Sequence, residues 1–149
     1  MIRAVVDTSV LVRGALSAGG GSAFIIQALK QRRFELLTSR HHLREIFRTL
    51  SYPRLRRKYH LSDRLCKRLV AQIAARGIML SPIGSLALCR DPQDDFLIEL
   101  ALAGGADYLV TEDADFHEDP GLLRFLQERG VRVVHAIEFA AALQREADR

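Results

Sequence analysis

DPQDDFLIELALAGGADYLVTEDADF, residues 91–116, is the stretch whose reading decides the fold. It joins an acidic entry, an apolar segment, a Gly-Gly break, a short apolar run and a second acidic cluster. Asp91 followed by Pro92 suits an N-cap with proline at the first helical position. Asp94 then falls in the first turn, where the positive end of the helix dipole favours a carboxylate. Residues 96–103 are apolar apart from Glu99, which predicts a helix buried on most sides. Gly104 and Gly105 stop it, residues 107–111 read as a short buried strand, and Asp113 follows where that strand ends. Two carboxylates are thus delivered to element ends, where an open parallel sheet places its ligands.

Towards the N-terminus, IRAVV at 2–6 is a β-rich run ending at Asp7-Thr8-Ser9. An apolar segment from Val10 to Leu16 leads into Gly19-Gly20-Gly21, which lacks the spacing of a phosphate loop and reads as a linker between helices. Ser22 is expected to cap a helix running to about Arg33. Residues 35–38 form the second strand, and Ser39 caps a helix with Leu43, Ile46, Phe47 and Leu50 at core spacing. Pro53 is expected to end that helix and residues 52–60 to be a basic connection, before Ser62 begins a helix that closes at Gly77. Residues 78–82 form the third strand. Beyond the central stretch, Pro120 opens a helix to Arg129, residues 131–135 form the fifth strand, and a last helix covers about 137–146. Strands alternating with helices predict a parallel sheet covered on both faces, a three-layer α/β/α sandwich.

The bulk properties fit this fold. The chain of 149 residues is the length of one ordinary domain, with 48% hydrophobic and 27% charged residues, which excludes wholesale disorder. No apolar run approaches the roughly 20 residues needed to span a bilayer, and MIRAVVDTS is too soon acidic for a signal peptide, so a cytoplasmic location is expected. Cys66 and Cys89 lack metal-type spacing and read as reduced, buried thiols.

Asp7 and Asp113 stand at the carboxyl ends of the first and fourth strands. If those strands are neighbours where strand order reverses, their carboxylates converge with Asp94 on one crevice. Several carboxylates so close repel one another, so one must be protonated or a cation must bind. All-oxygen ligation suits Mg²⁺ or Mn²⁺, ions that activate water and neutralise a leaving oxygen on a phosphodiester. Simpler uses exist: Asp113 suits a turn, Asp94 a helix start and Asp91 an N-cap, while Asp95, Glu112 and Asp115 read as solvated or outer groups. Periodicity puts Glu45 on the polar face of its helix, as a surface acid paired with Arg48. Thr8 and Thr111 stand beside candidate carboxylates, where a hydroxyl can orient an acid, contact a phosphate or bond local backbone.

Net charge is +4, unevenly spread. Arg44, Arg48, Arg54, Arg56, Arg57, Lys58, Arg64 and Lys67 lie between residues 40 and 68 against only Glu45 and Asp63, with Tyr52 and Tyr59 interleaved. Cations hold phosphates and planar rings stack on unpaired bases, so this segment suits a nucleic acid, with Arg54, Arg56, Arg57 and Lys58 as phosphate contacts. A solvated hairpin or a docking surface for an acidic protein is the competing reading.

VVDTSVLV at 5–12, LREI at 43–46, the stretch at 91–116 and a closing strand near 131–135 together resemble the PIN-domain family, over nearly the whole chain. The pattern is most similar to small bacterial and archaeal members that serve as toxin components of toxin–antitoxin pairs. The resemblance implies one PIN-like domain over 1–149, a five-stranded parallel sheet of order 3-2-1-4-5, and Mg²⁺- or Mn²⁺-dependent cleavage of single-stranded RNA. It carries an acidic quartet onto Asp7, Glu45, Asp94 and Asp113, with Thr8 as the hydroxyl after the first acid. It further implies a cognate antitoxin and a homodimer as partners. Ser9 stands where many relatives have Asn, and Glu112 is an additional acid before the last one of the quartet. A non-catalytic PIN-like module that binds RNA or protein is the alternative. A receiver-type phosphoryl-transfer domain ranks last, because it predicts a lysine after a later strand and residues 107–119 contain none.

Overall fold

The computed structural model describes residues 1–82 and 95–149. Five parallel strands, β1 (Arg3–Val6), β2 (Glu35–Thr38), β3 (Gly77–Met79), β4 (Tyr108–Val110) and β5 (Arg132–Val134), form one sheet in the order β3-β2-β1-β4-β5. Fold class and strand order are those expected. The order reverses at β1: the chain first builds outward through β2 and β3, then returns to lay β4 and β5 on the opposite side. Asp7 follows β1 and Asp113 follows β4, and these two strands pair, with Val6 opposite Val110.

Side-chain alternation explains why the sheet is covered on both faces. Ala4 and Val6 of β1, Leu36 of β2, Val110 of β4 and Val134 of β5 belong to one core. That core is completed by α1 (Thr8–Leu16), α2 (Gly21–Lys30), α3 (Arg40–Leu50), α5 (Asp63–Arg76) and α9 (Ala136–Ala147). Val5, Leu37, Leu109 and Val133 point the other way, into a second core with α6 (Asp95–Gly104), α7 (Ala114–His117) and α8 (Pro120–Gln127). Leu97, Ile98, Leu100 and Ala101 of α6 are fully buried, as the apolar run at 96–103 predicts.

Several helix limits follow from the expected chemistry. Ser39 and Ser62 cap α3 and α5, accepting from the His42 and Leu65 backbone N–H groups at 3.2 and 3.1 Å. Gly105, at φ +62°, leaves α6 through a conformation that favours glycine. Other limits differ. The N-cap of α2 is Gly20, at φ +99°, so Ser22 lies inside the helix. Residues 53–59 are a helix, α4 (Pro53–Tyr59), with no buried residue; Pro53 starts it at N1 as well as ending α3. Its apolar residues are too few to leave a periodic signal. The third strand spans 77–79, although the Leu80 N–H continues the ladder to the Thr38 carbonyl at 2.8 Å. The helix opened by Pro120 stops at Gln127, and α7 has no counterpart among the expected elements. Cys66 is buried and free. Asp91 as N-cap, Asp94 in the first turn and Cys89 lie outside the described residues. Among the described residues no single helix is long and apolar enough to cross a membrane.

Candidate functional site

An open cleft lies at the carboxyl ends of β1 and β4. Asp7, Thr8, Glu45, Glu112 and Asp113 line it, and Ser9 and Thr49 complete the lining. Pairing of the two central strands fixes the first acid: the Asp7 N–H donates to the Val110 carbonyl at 2.8 Å. The Asp7 side chain is fixed as well, because Thr111 Oγ1 donates to Asp7 Oδ2 at 2.7 Å across 104 residues of sequence. The same Thr111 oxygen accepts from the Asp113 N–H at 3.1 Å. One buried hydroxyl therefore sets the spacing of two acids. Thr111 is fully buried, and its pairing with Asp7 is a contact that the sequence does not decide. The signal in the sequence is its place at a strand end between two acids; the partner is not legible there.

Glu45 arrives by another route. Ser39 starts α3 at the end of β2, and the helix brings Glu45 over the start of α1, where Thr8 Oγ1 donates to its Oε2 at 2.8 Å. Glu45 is half-buried and faces Thr8, in place of the expected surface pairing with Arg48. Burial pushes the Asp7 pKa above the usual carboxylate range; the Thr111 hydroxyl and the Thr8 backbone oppose this, and the charges of Glu45 and Asp113 add to it. Three acids thus feel one another within a cleft whose other lining is Glu112 and the hydroxyls of Thr8, Ser9 and Thr49. Asp113 has a second duty, accepting from the Asp115 N–H at 2.9 Å to cap α7.

Glu112 is partly exposed but fixed by two contacts. Its Oε1 accepts from the Ala136 N–H at the start of α9 at 2.8 Å, and its Oε2 meets His135 Nδ1 at 2.7 Å. Partial burial raises its pKa, but these two contacts and the charge of Arg13 outweigh that and hold it below the usual carboxylate range. Asp95 is buried, at 6% exposure, which corrects its reading as a solvated acid: it opens α6 against the sheet. The expected contribution of Asp94 lies outside the described residues. Among the described residues no three acidic, histidine or cysteine side chains form a complete metal cage. The donor set nevertheless fits a hard cation: carboxylate and hydroxyl oxygens, with one carboxyl burdened by burial and by two like charges.

The cationic segment is divided. Arg54, Arg57 and Lys58 are exposed on α4. Arg56 is held in the fold, its Nη2 bonding Ser51 Oγ at 2.9 Å and Asp63 Oδ1 at 2.6 Å.

Comparison with known proteins agrees with this geometry. The PIN domain matches residues 3–115, from the first strand to the acid cluster after the fourth. The chain belongs to the PIN-domain family. PIN domains are generally nucleases and typically use divalent metal ions, so the chain has a nuclease-type fold. The PIN chain is also similar to an uncharacterized protein, MJ1680, of Methanocaldococcus jannaschii, at 29% identity over 115 residues, 76% of this chain and 72% of that one. No solved structure matches it significantly.

Proposed function

We propose that this PIN protein is a metal-dependent endoribonuclease that hydrolyses phosphodiester bonds of single-stranded RNA, acting in the cytoplasm as the toxin of a toxin–antitoxin pair. The observation that carries the reading is the convergence of Asp7, Glu45 and Asp113 on one cleft, with Asp7 buried enough that its charge needs a counter-ion. Asp7 and Asp113, with Asp94, would hold Mg²⁺ or Mn²⁺. Bound there, the ion supplies an activated water and neutralises charge on the leaving oxygen. Glu45 completes the acidic wall and orients the attacking water, itself held by Thr8. Thr111 keeps Asp7 and Asp113 at a fixed separation, so the acids do not rearrange when charge develops. Arg54, Arg57 and Lys58 would attract the strand, and Arg56 would do so only by giving up Asp63.

An antitoxin reading has its own support. A groove between α3 and α5 has Leu43, Phe47 and Val70 on its floor, with Arg44, Arg48 and Lys67 around it. That combination suits an acidic, amphipathic segment of a partner. A homodimer is part of the same proposal.

The test is Asp7→Asn. Cleavage of a single-stranded RNA should fall by at least about 100-fold, by analogy with loss of a group acting directly on the reaction. Mn²⁺ should raise the melting temperature of the native protein and not that of the variant. Full activity in Asp7→Asn contradicts the assignment, and no stabilisation of the native protein by Mn²⁺ or Mg²⁺ favours a non-catalytic binding module.

A further inference from the structure

His135 stands where β5 ends and α9 begins, beside the wall of the cleft formed by Glu112. Two contacts hold its ring. In the ring plane, Nδ1 lies 2.7 Å from Glu112 Oε2. On the ring face, His117 stacks in parallel, with centroids 3.7 Å apart and planes 5° apart. His117 is itself anchored, since its Nε2 lies 2.7 Å from the Thr111 carbonyl, an acceptor, and so must carry the proton. Glu112 Oε1 already accepts from the Ala136 N–H, and its Oε2 is an acceptor only 2.7 Å from the ring, so Nδ1 of His135 must donate to it. The tautomer of a neutral His135 is then fixed, and its Nε2 carries a lone pair.

Glu112 already accepts from the Ala136 N–H, and the His135 N–H is taken by Glu138 Oε1 at 2.8 Å. The side chain of His135 is nonetheless 43% exposed. A ring so oriented, open to solvent and next to a cleft, presents a hydrogen-bond acceptor of defined direction. Along a nucleic-acid strand, phosphate oxygens only accept, while the ribose 2′-hydroxyl can donate and deoxyribose lacks it.

Building on the nuclease reading above, we propose that His135 is the cleft's sugar reader: its Nε2 accepts a hydrogen bond from the 2′-hydroxyl of a nucleotide lying beside Asp113, with Glu112 and His117 as positioning residues. The additional acid before Asp113 then has a purpose. Its two oxygens bond the start of α9 and the imidazole.

The experiment measures binding of a fluorescein-labelled single-stranded RNA and of DNA of the same sequence, in EDTA, so that no cleavage occurs. Native protein should bind the RNA about five-fold more tightly than the DNA, the size of one neutral hydrogen bond. His135→Ala should lose that preference by weakening RNA binding alone. His135→Gln, whose side-chain carbonyl can still accept, should keep part of it. Glu112→Gln should reduce it too, with melting temperatures recorded because Glu112 also caps α9. Equal weakening of RNA and DNA in His135→Ala, an unchanged preference, or no preference in the native protein overturns the proposal. Cleavage of RNA with Mn²⁺ is assayed separately. A native protein that cleaves RNA while His135→Ala keeps its RNA preference sinks the sugar reader and leaves the nuclease standing; absence of cleavage with a His135-dependent preference does the reverse.

Discussion

The carboxylate cleft and the cationic helix α4 are built on opposite plans. In the cleft, two acids are held by partners far away in sequence, Asp7 by Thr111, 104 residues on, and Glu45 by Thr8, 37 residues back, and the same Thr111 anchors Asp113 locally. On α4 nothing is buried, and the cation that the fold holds by hydrogen bonds among the described residues, Arg56, is bound to residues five and seven positions away. Groups that must keep a distance to a reacting atom are placed by tertiary structure, which costs burial and specific bonds. Groups that need only attract a polyanion work from an exposed position, because Coulombic attraction tolerates loose geometry.

The contrast breaks most sharply at Thr111. Thr111→Val keeps the shape and removes the hydroxyl shared by Asp7 and Asp113, so metal affinity or cleavage should fall about 10–100-fold, the range for residues that orient metal ligands. Calorimetric Mn²⁺ titration and single-turnover cleavage would measure it; an unaltered variant would mean that strand pairing alone fixes the acids. This effect should be second only to that of Asp7→Asn.

A pH titration examines the helix that supports Glu45. Burial, with a smaller contribution from the charge of His41, lowers the His42 pKa from 6.5 to about 4. The unfolded chain therefore takes up this proton first, and stability present above pH 6.5 is lost as pH falls towards 4. The loss is roughly 3 kcal/mol from this group. Denaturant unfolding at several pH values should show it, and His42→Gln, less stable at pH 7, should show a flatter dependence. Equal slopes would remove His42 as the cause.

The smallest effect belongs to α4. Arg54→Ala with Arg57→Ala should weaken RNA binding several-fold near physiological salt and lower the salt slope by about 0.7 for each phosphate that is no longer neutralised. The melting temperature should stay put, whereas Arg56→Ala should lower it slightly. A salt slope that does not change would take α4 off the path of the strand.

The same contrast explains what can be read from the sequence. Strand alternation, the serine caps at 39 and 62, and the Gly-Gly stop depend on neighbours within a few residues, and all are legible. So are the two acids at the strand ends. The direction of Glu45 is not, because periodicity places it on the polar face and its partner Thr8 lies across the fold. The burial of Asp95 and the Glu112–His135 pair are hidden for the same reason. Helix α4 escapes for a different one: seven residues with little apolar content carry no periodic signal, and only Pro53 at N1 marks its start.

Parallel pairing of β1 with β4, Ala4 opposite Tyr108, has a consequence for biosynthesis. The first strand leaves the ribosome with one of its two edges unmatched and must wait for some hundred further residues before that edge is filled. Until then no Val110 carbonyl holds Asp7 and no Thr111 aligns it, so whatever chemistry the acids perform cannot begin on a nascent chain. Loop closure over such a separation makes this a late step of folding. The cleft is therefore assembled only after residue 111 has been made.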